Sequence, residues 1–136
     1  MTTLVDTSVW SLLLRKRGPA EHGAVRRLTE MIEQRESVAI TGIVLQEVLA
    51  YFRDDATAER VATRLEPFPL LEPTRDDHER AATLFRKARA AGISATTVDC
   101  LIATLAISRE ATLLTTDADF AHLAKLSDLR LVAWDA

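Results

Sequence analysis

Short apolar runs alternate along this chain with longer stretches whose apolar residues recur every three or four positions. The first run, "TLVDT", reads as a strand. Ser8 then caps a short helix through Leu14, and Gly18-Pro19 ends it after "RKR". A second helix covers about Ala20 to Glu36, with Val25, Leu28 and Ile32 on one face. "SVAIT" is a second strand, after which Thr41 or Gly42 opens a helix carrying Leu45, Val48, Leu49 and Phe52. A weaker helix spans about Thr57 to Glu66, and "PFPLLEP" follows as a third strand whose prolines suit a sheet edge. Ala81, Leu84, Phe85 and Ala88 mark a helix that ends near Gly92. "TTVDCLIATLAIS" is a strongly apolar helix with a threonine cap, "ATLLTT" a fourth strand, "DADFAHLAKL" a short helix and "LRLVAW" a fifth strand.

This alternation predicts an α/β fold with a mainly parallel sheet of four to five strands and right-handed crossovers. The runs "TLV", "VAI" and "TLL" are apolar throughout, as strands covered on both faces require. In such sheets the ligand crevice lies beyond the carboxyl ends of the strands, where the strand order reverses. A length of 136 residues fits one domain over 1–136, large enough to bury a core without staples.

Composition narrows the function classes. Hydrophobic residues at 48% and charged residues at 27% describe a globular chain rather than a disordered one. The one cysteine, Cys100, excludes an intrachain disulfide and a cysteine metal cluster, and a reducing, cytoplasmic setting is expected. No secretory signal is expected, and no apolar run reaches the roughly 20 residues that span a bilayer. A net charge of -3 gives no global attraction to a polyanion, so any such partner needs a local basic patch or metal ions. Two basic groups are candidates for a phosphate backbone, Arg15, Lys16 and Arg17 in "RKR" and Arg86, Lys87 and Arg89 in "RKAR"; each also reads as a solvated surface.

The placement of the acids carries the chemistry. Asp6 closes the first strand, and Asp117 follows the fourth in "LLTTDADF". Asp99 heads a very apolar helix, and Glu47 lies in the first two turns of the helix after strand two. If strands one and four are neighbours, these four acids meet in one crevice. Converging carboxylates repel, and a cation relieves that repulsion. All-oxygen ligands suit Mg²⁺ or Mn²⁺ rather than zinc. Two such ions about 4 Å apart can activate a water and stabilise a leaving oxygen, the chemistry of phosphodiester hydrolysis. Each acid also has a purely structural reading: turn former or cap for Asp6 and Asp117, helix cap for Asp99, solvated helix residue for Glu47. Thr116 and Asp119 have capping-box spacing, and Ser8 and Thr41 are candidate caps. His22, His78 and His122 lack ligand spacing and read as surface residues; Trp10 and Trp134 read as core or interface.

The order "LVDTSV", "TGIVLQE", "TTVDCLIA", "LLTTDADF" strongly resembles the PIN domain, and within it the VapC-type toxins of bacterial toxin–antitoxin pairs. The resemblance covers nearly the whole chain. It implies a three-layer α/β/α sandwich and a Mg²⁺-dependent endoribonuclease (Mn²⁺ being an alternative ion), usually a homodimer, inhibited by a small cognate antitoxin. Carried over by motif, Asp6, Glu47, Asp99 and Asp117 match the acidic quartet, and Asp119 an additional acid. Asp6, Asp99 and Asp117 are then assigned to the main metal site, and Glu47 to a second ion or an attached water. Ser8 and Thr116 match small hydroxyl positions that support ligands. With no histidine pair placed for attack by the RNA 2′-hydroxyl, the expected products carry 5′-phosphate and 3′-hydroxyl ends.

Other classes fit less well. A receiver-type Mg²⁺-binding module needs an acidic pair after strand one and a phosphoacceptor after strand three, and here Asp6 is followed by Thr7 and "PFPLLEP" has no aspartate. An aspartyl phosphatase needs a second aspartate at position 8, which is serine. A catalytically weak PIN-like module acting by partner binding stays open.

Overall fold

A computed structural model describes residues 1–14 and 22–136. The elements are β1 (Thr3–Val5), α1 (Thr7–Leu14), α2 (Gly23–Glu33), β2 (Val38–Thr41), α3 (Gly42–Ala50), α4 (Asp55–Leu65), β3 (Leu70–Leu71), α5 (Arg75–Ala90), α6 (Thr97–Ser108), β4 (Thr112–Leu114) and α7 (Asp119–Lys125). The four strands pair in parallel in the order β3-β2-β1-β4, flanked by helices as an α/β/α sandwich. The proline-flanked β3 is an edge strand, as its sequence predicts.

Strand order fixes where a site can form. From β1 the chain steps outward through β2 to β3, then returns to place β4 on the other side of β1. The order therefore reverses between β1 and β4, whose register sets Val5 opposite Leu114. The crevice beyond their carboxyl ends is the switch point of this sheet.

The core explains why these segments take these forms. Leu4, Val5, Leu113 and Leu114 are fully buried, since helices cover both sheet faces. Among the central helices, α6 buries Cys100 and every residue from Ile102 to Ala106, which accounts for its lack of a polar face. In α2, Met31 rather than Ile32 completes the buried face with Val25 and Leu28, while Ile32 is exposed. Gly92, at φ 74°, ends α5 in the left-handed conformation that glycine adopts without strain. Among the described residues, no helix is long and apolar enough to cross a membrane.

The fifth strand expected at "LRLVAW" does not form. Leu113 N–H donates to the Arg130 carbonyl (2.9 Å) and Val132 N–H to the Leu113 carbonyl (2.8 Å), making a single parallel bridge between Leu113 and Leu131. Continuing the parallel ladder would need the Thr115 N–H to donate to the Val132 carbonyl and then the Trp134 backbone N–H to the Thr115 carbonyl, and neither bond forms among the described residues. The Trp134 indole Nε1–H donates to the Thr115 carbonyl, at 3.1 Å.

One buried charge secures the far side of the molecule. Asp77 is 2% exposed, forms a capping box with Thr74 at the head of α5 and pairs with Arg109 at 3.2 Å. Arg109 also donates to the Ser108 hydroxyl and to the Glu72 carbonyl after β3. Burial pushes the Asp77 carboxyl up, but the Thr74 N–H, the Ser108 and Thr74 hydroxyls and the Arg109 guanidinium outweigh it, leaving its pKa below the ordinary value. A depressed folded pKa contributes stability in full above the unfolded value of about 3.9, and that stability fades as the pH falls toward the folded value. Asp77→Asn is expected to cost about 1–3 kcal/mol at pH 7 and to flatten this acid limb. Urea unfolding of both proteins from pH 7 to pH 3 measures both effects.

Candidate metal centre

Asp6 extends the β1–β4 pairing by one rung, its N–H donating to the Leu114 carbonyl at 2.9 Å. Asp6 is 6% exposed, its carboxylate cradled by two hydroxyls. Oδ2 accepts from the Ser8 hydroxyl and from the Thr115 hydroxyl, each at 2.9 Å, and Oδ1 accepts no hydrogen bond among the described residues. Ser8 is therefore not a helix cap. It lies inside α1, and the first free N–H groups of that helix, on Val9 and Trp10, donate to the Asp6 carbonyl. Thr41 stands at the N-cap of α3, but its hydroxyl makes no capping bond.

The two threonines after β4 divide the work in a way their spacing does not reveal. The Thr115 hydroxyl donates to Asp6 and accepts from the Asp117 N–H (3.0 Å), so one buried group joins both strand ends. Thr116 contributes its backbone N–H, which donates to Ser8 Oγ at 3.0 Å. Thr115 is the supporting residue that sequence reasoning missed. Its signal is the register: Thr115 follows Leu114 as Asp6 follows Val5, and those two residues are paired.

Asp99, Asp117 and Asp119 come together, with a carboxylate oxygen from each within 4.8 Å of the others. The Thr116–Asp119 capping box does not form, because Asp117 Oδ1 takes the Asp119 N–H at 2.9 Å and α7 begins without a side-chain cap. Asp99 does form its capping box, accepting from the Thr96 N–H through Oδ2 and donating its own N–H to the Thr96 hydroxyl. The structural reading of Asp99 and its place in the cluster hold together, since a carboxylate has two oxygens. Asp6, Asp99 and Asp117 share this design: one oxygen is held by a scaffold donor while the other accepts no hydrogen bond from the described residues.

The electrostatics match that geometry. Burial raises the Asp99 pKa, hydrogen bonding with Thr96 works against it, and the negative charges of Asp117 and Asp6 raise it further; the net shift is upward. Like charges are thus held together at a cost that a bound cation would relieve. The donors are all hard carboxylate oxygens, which fits Mg²⁺ or Mn²⁺.

Glu47 is not part of the three-carboxylate group. It is exposed on α3 and accepts from the Thr7 hydroxyl at 3.1 Å, one residue beyond Asp6. Arg86 and Arg89 line a cavity of about 410 Å³ between α5 and α6 with His78, Phe85, Thr97 and Val98. That cavity shares the first turn of α6 with Asp99. Lys87 separates from them and donates to the Leu126 carbonyl at 2.7 Å. Arg15, Lys16 and Arg17 lie outside the described residues. His78 and His122 are exposed, while His22 caps α2 by accepting from the Ala24 N–H.

Removing one of the clustered charges should stabilise the metal-free protein. Asp117→Asn keeps an oxygen for the Asp119 N–H and removes a charge that bears on Asp99. The expected gain is about 0.5–1 kcal/mol in urea unfolding with EDTA present, accompanied by loss of Mn²⁺ binding in calorimetry.

Comparison with known proteins agrees with this architecture. The family model for the PIN domain matches residues 3–126. VapC ribonuclease Mb1587 of Mycobacterium bovis is 32% identical over 133 residues, covering 96% of this chain and 98% of the relative. VapBC2 from Rickettsia felis, solved bound to a DNA fragment from its promoter, superposes with a TM-score of 0.79 at 21% identity, covering 99% of this chain and 100% of that one. VapBC-5 from Mycobacterium tuberculosis, a member of the VapBC family of toxin-antitoxin systems, gives 0.65 at 20% identity over 96% of this chain and 97% of that one. With most of its length matched by the family model and a relative aligned nearly end to end, this chain belongs to the PIN domain family and, within it, to the VapC proteins.

Proposed function

We propose that the protein is a metal-dependent endoribonuclease, the toxin of a toxin–antitoxin pair, hydrolysing RNA to 5′-phosphate and 3′-hydroxyl ends. The observation that carries this is the cluster of Asp99, Asp117 and Asp119 oxygens at the sheet's switch point, with Asp6 held beside it. The ribonuclease name of the Mycobacterium bovis relative supports the activity, and the VapBC assemblies support a small antitoxin as partner. A homodimer is part of the same reading.

Asp6, Asp99, Asp117 and Asp119 are the residues that would hold Mg²⁺ or Mn²⁺. When bound, such an ion supplies positive charge for a phosphate oxygen and acidifies water for attack. Ser8 and Thr115 keep Asp6 Oδ2 fixed, so the free oxygen of that carboxylate has one direction. Glu47, at the exposed rim, is the candidate for a second ion or for orienting water. Arg86 and Arg89 are suited to phosphates flanking the cut, with Phe85 as a surface for a base. The carboxylate cluster contains no histidine among the described residues, so it offers no histidine pair for an attack by the RNA 2′-hydroxyl.

Asp6→Asn is expected to keep its fold and lose more than about 100-fold of its cleavage rate. Wild-type expression should arrest growth where this variant does not. End-mapping of cleaved RNA decides the chemistry: cyclic 2′,3′-phosphate ends, or full activity in excess EDTA, would refute it. For RNA contact, Arg86→Ala with Arg89→Ala should reduce the slope of log affinity against log salt by about 1.4, roughly 0.7 per lost phosphate contact. Binding titrations with the Asp6→Asn protein as background measure that slope without turnover.

A further inference from the structure

Trp134 reads from sequence as a core or interface residue, and its ring does pack against the core. Its other contacts place it differently. The ring lies on His22, with centroids 4.9 Å apart and planes inclined by 49°. The tail passes so close to α2 that a Cβ on Gly23 would overlap the Asp135 carbonyl. In this seat the indole Nε1–H donates to the Thr115 carbonyl.

That carbonyl belongs to the peptide group whose N–H is on Thr116. In a trans peptide the two groups point in opposite directions. One side of the group is held by Trp134, and the other donates to Ser8 Oγ. Ser8 in turn donates to Asp6 Oδ2, the oxygen that also accepts from the Thr115 hydroxyl. The chain of donors thus runs from the indole through one peptide to the carboxylate, each bond polarising the next.

We propose that Trp134 is a positioning residue for the metal centre, setting the plane of the Thr115–Thr116 peptide so that the Ser8 and Thr115 hydroxyls aim at Asp6. It acts through this peptide rather than as one of the clustered acids. The inference rests on the reading of these acids as a metal site.

Trp134→Phe keeps an aromatic ring and removes the donor. Val132→Ala loosens the same tail but keeps the indole. Two readouts are needed: Mn²⁺ affinity by calorimetry on the full chain, and amide exchange of Thr116 by NMR in EDTA. Trp134→Phe is expected to weaken Mn²⁺ binding about tenfold and to speed Thr116 exchange about fivefold. Val132→Ala should lower Tm and leave both readouts near wild type. Unchanged affinity and exchange in Trp134→Phe would overturn the proposal, as would equal shifts in Val132→Ala, which would make the role one of packing. Absence of Mn²⁺ binding by the wild type would remove the metal reading alone, and the exchange rates would still decide whether Trp134 holds the peptide.

Discussion

The Thr115 hydroxyl is the joint on which the acidic crevice depends. It donates to the carboxylate that closes β1 and accepts from the backbone that follows β4. A hydroxyl can do both through a single oxygen, whereas an ammonium can only donate. Parallel pairing of β1 and β4 brings the two strand ends side by side, and this buried oxygen locks them in register. Everything else at the site is arranged around that link.

The problem the fold solves is repulsion. Several aspartates are brought to one edge, and the Asp99 carboxyl is shifted upward, first by burial and further by the charges of Asp117 and Asp6. Local donors make the arrangement tolerable by taking one oxygen of each: Ser8 and Thr115 on Asp6, Thr96 on Asp99, the Asp119 N–H on Asp117. The remaining oxygens accept no hydrogen bond from the described residues and are open to a cation. Residues that look like ordinary caps therefore serve the scaffold and the site at once.

Stability is supplied away from this edge. The apolar α6 runs through the core and presents Asp99 at its exposed head. At its other end, Arg109 pairs with buried Asp77 and reaches the loop after β3, tying together elements that the sheet does not join. The paired buried charge of Asp77 thus lies at the opposite end of α6 from the Asp99 carboxylate.

Much of this was legible in the residues themselves. Apolar runs of three or four are strands covered on both faces, and helical spacing marks α5 and α6, the latter with its threonine cap, because both patterns follow from local burial and local hydrogen bonding. The acids at strand ends and helix heads were likewise visible, since they stand out against apolar neighbours. What sequence could not decide was which oxygen of each acid is free, which of two adjacent threonines bears the supporting hydroxyl, and that "LRLVAW" stops after one bridge. Those answers depend on strand register and on a tail that returns across 19 residues to meet Thr115. Local chemistry determined the elements and their acids; only the tertiary pairing of β1, β4 and the C-terminal tail decided which atoms face the crevice, because that choice lies in contacts between segments far apart in the chain.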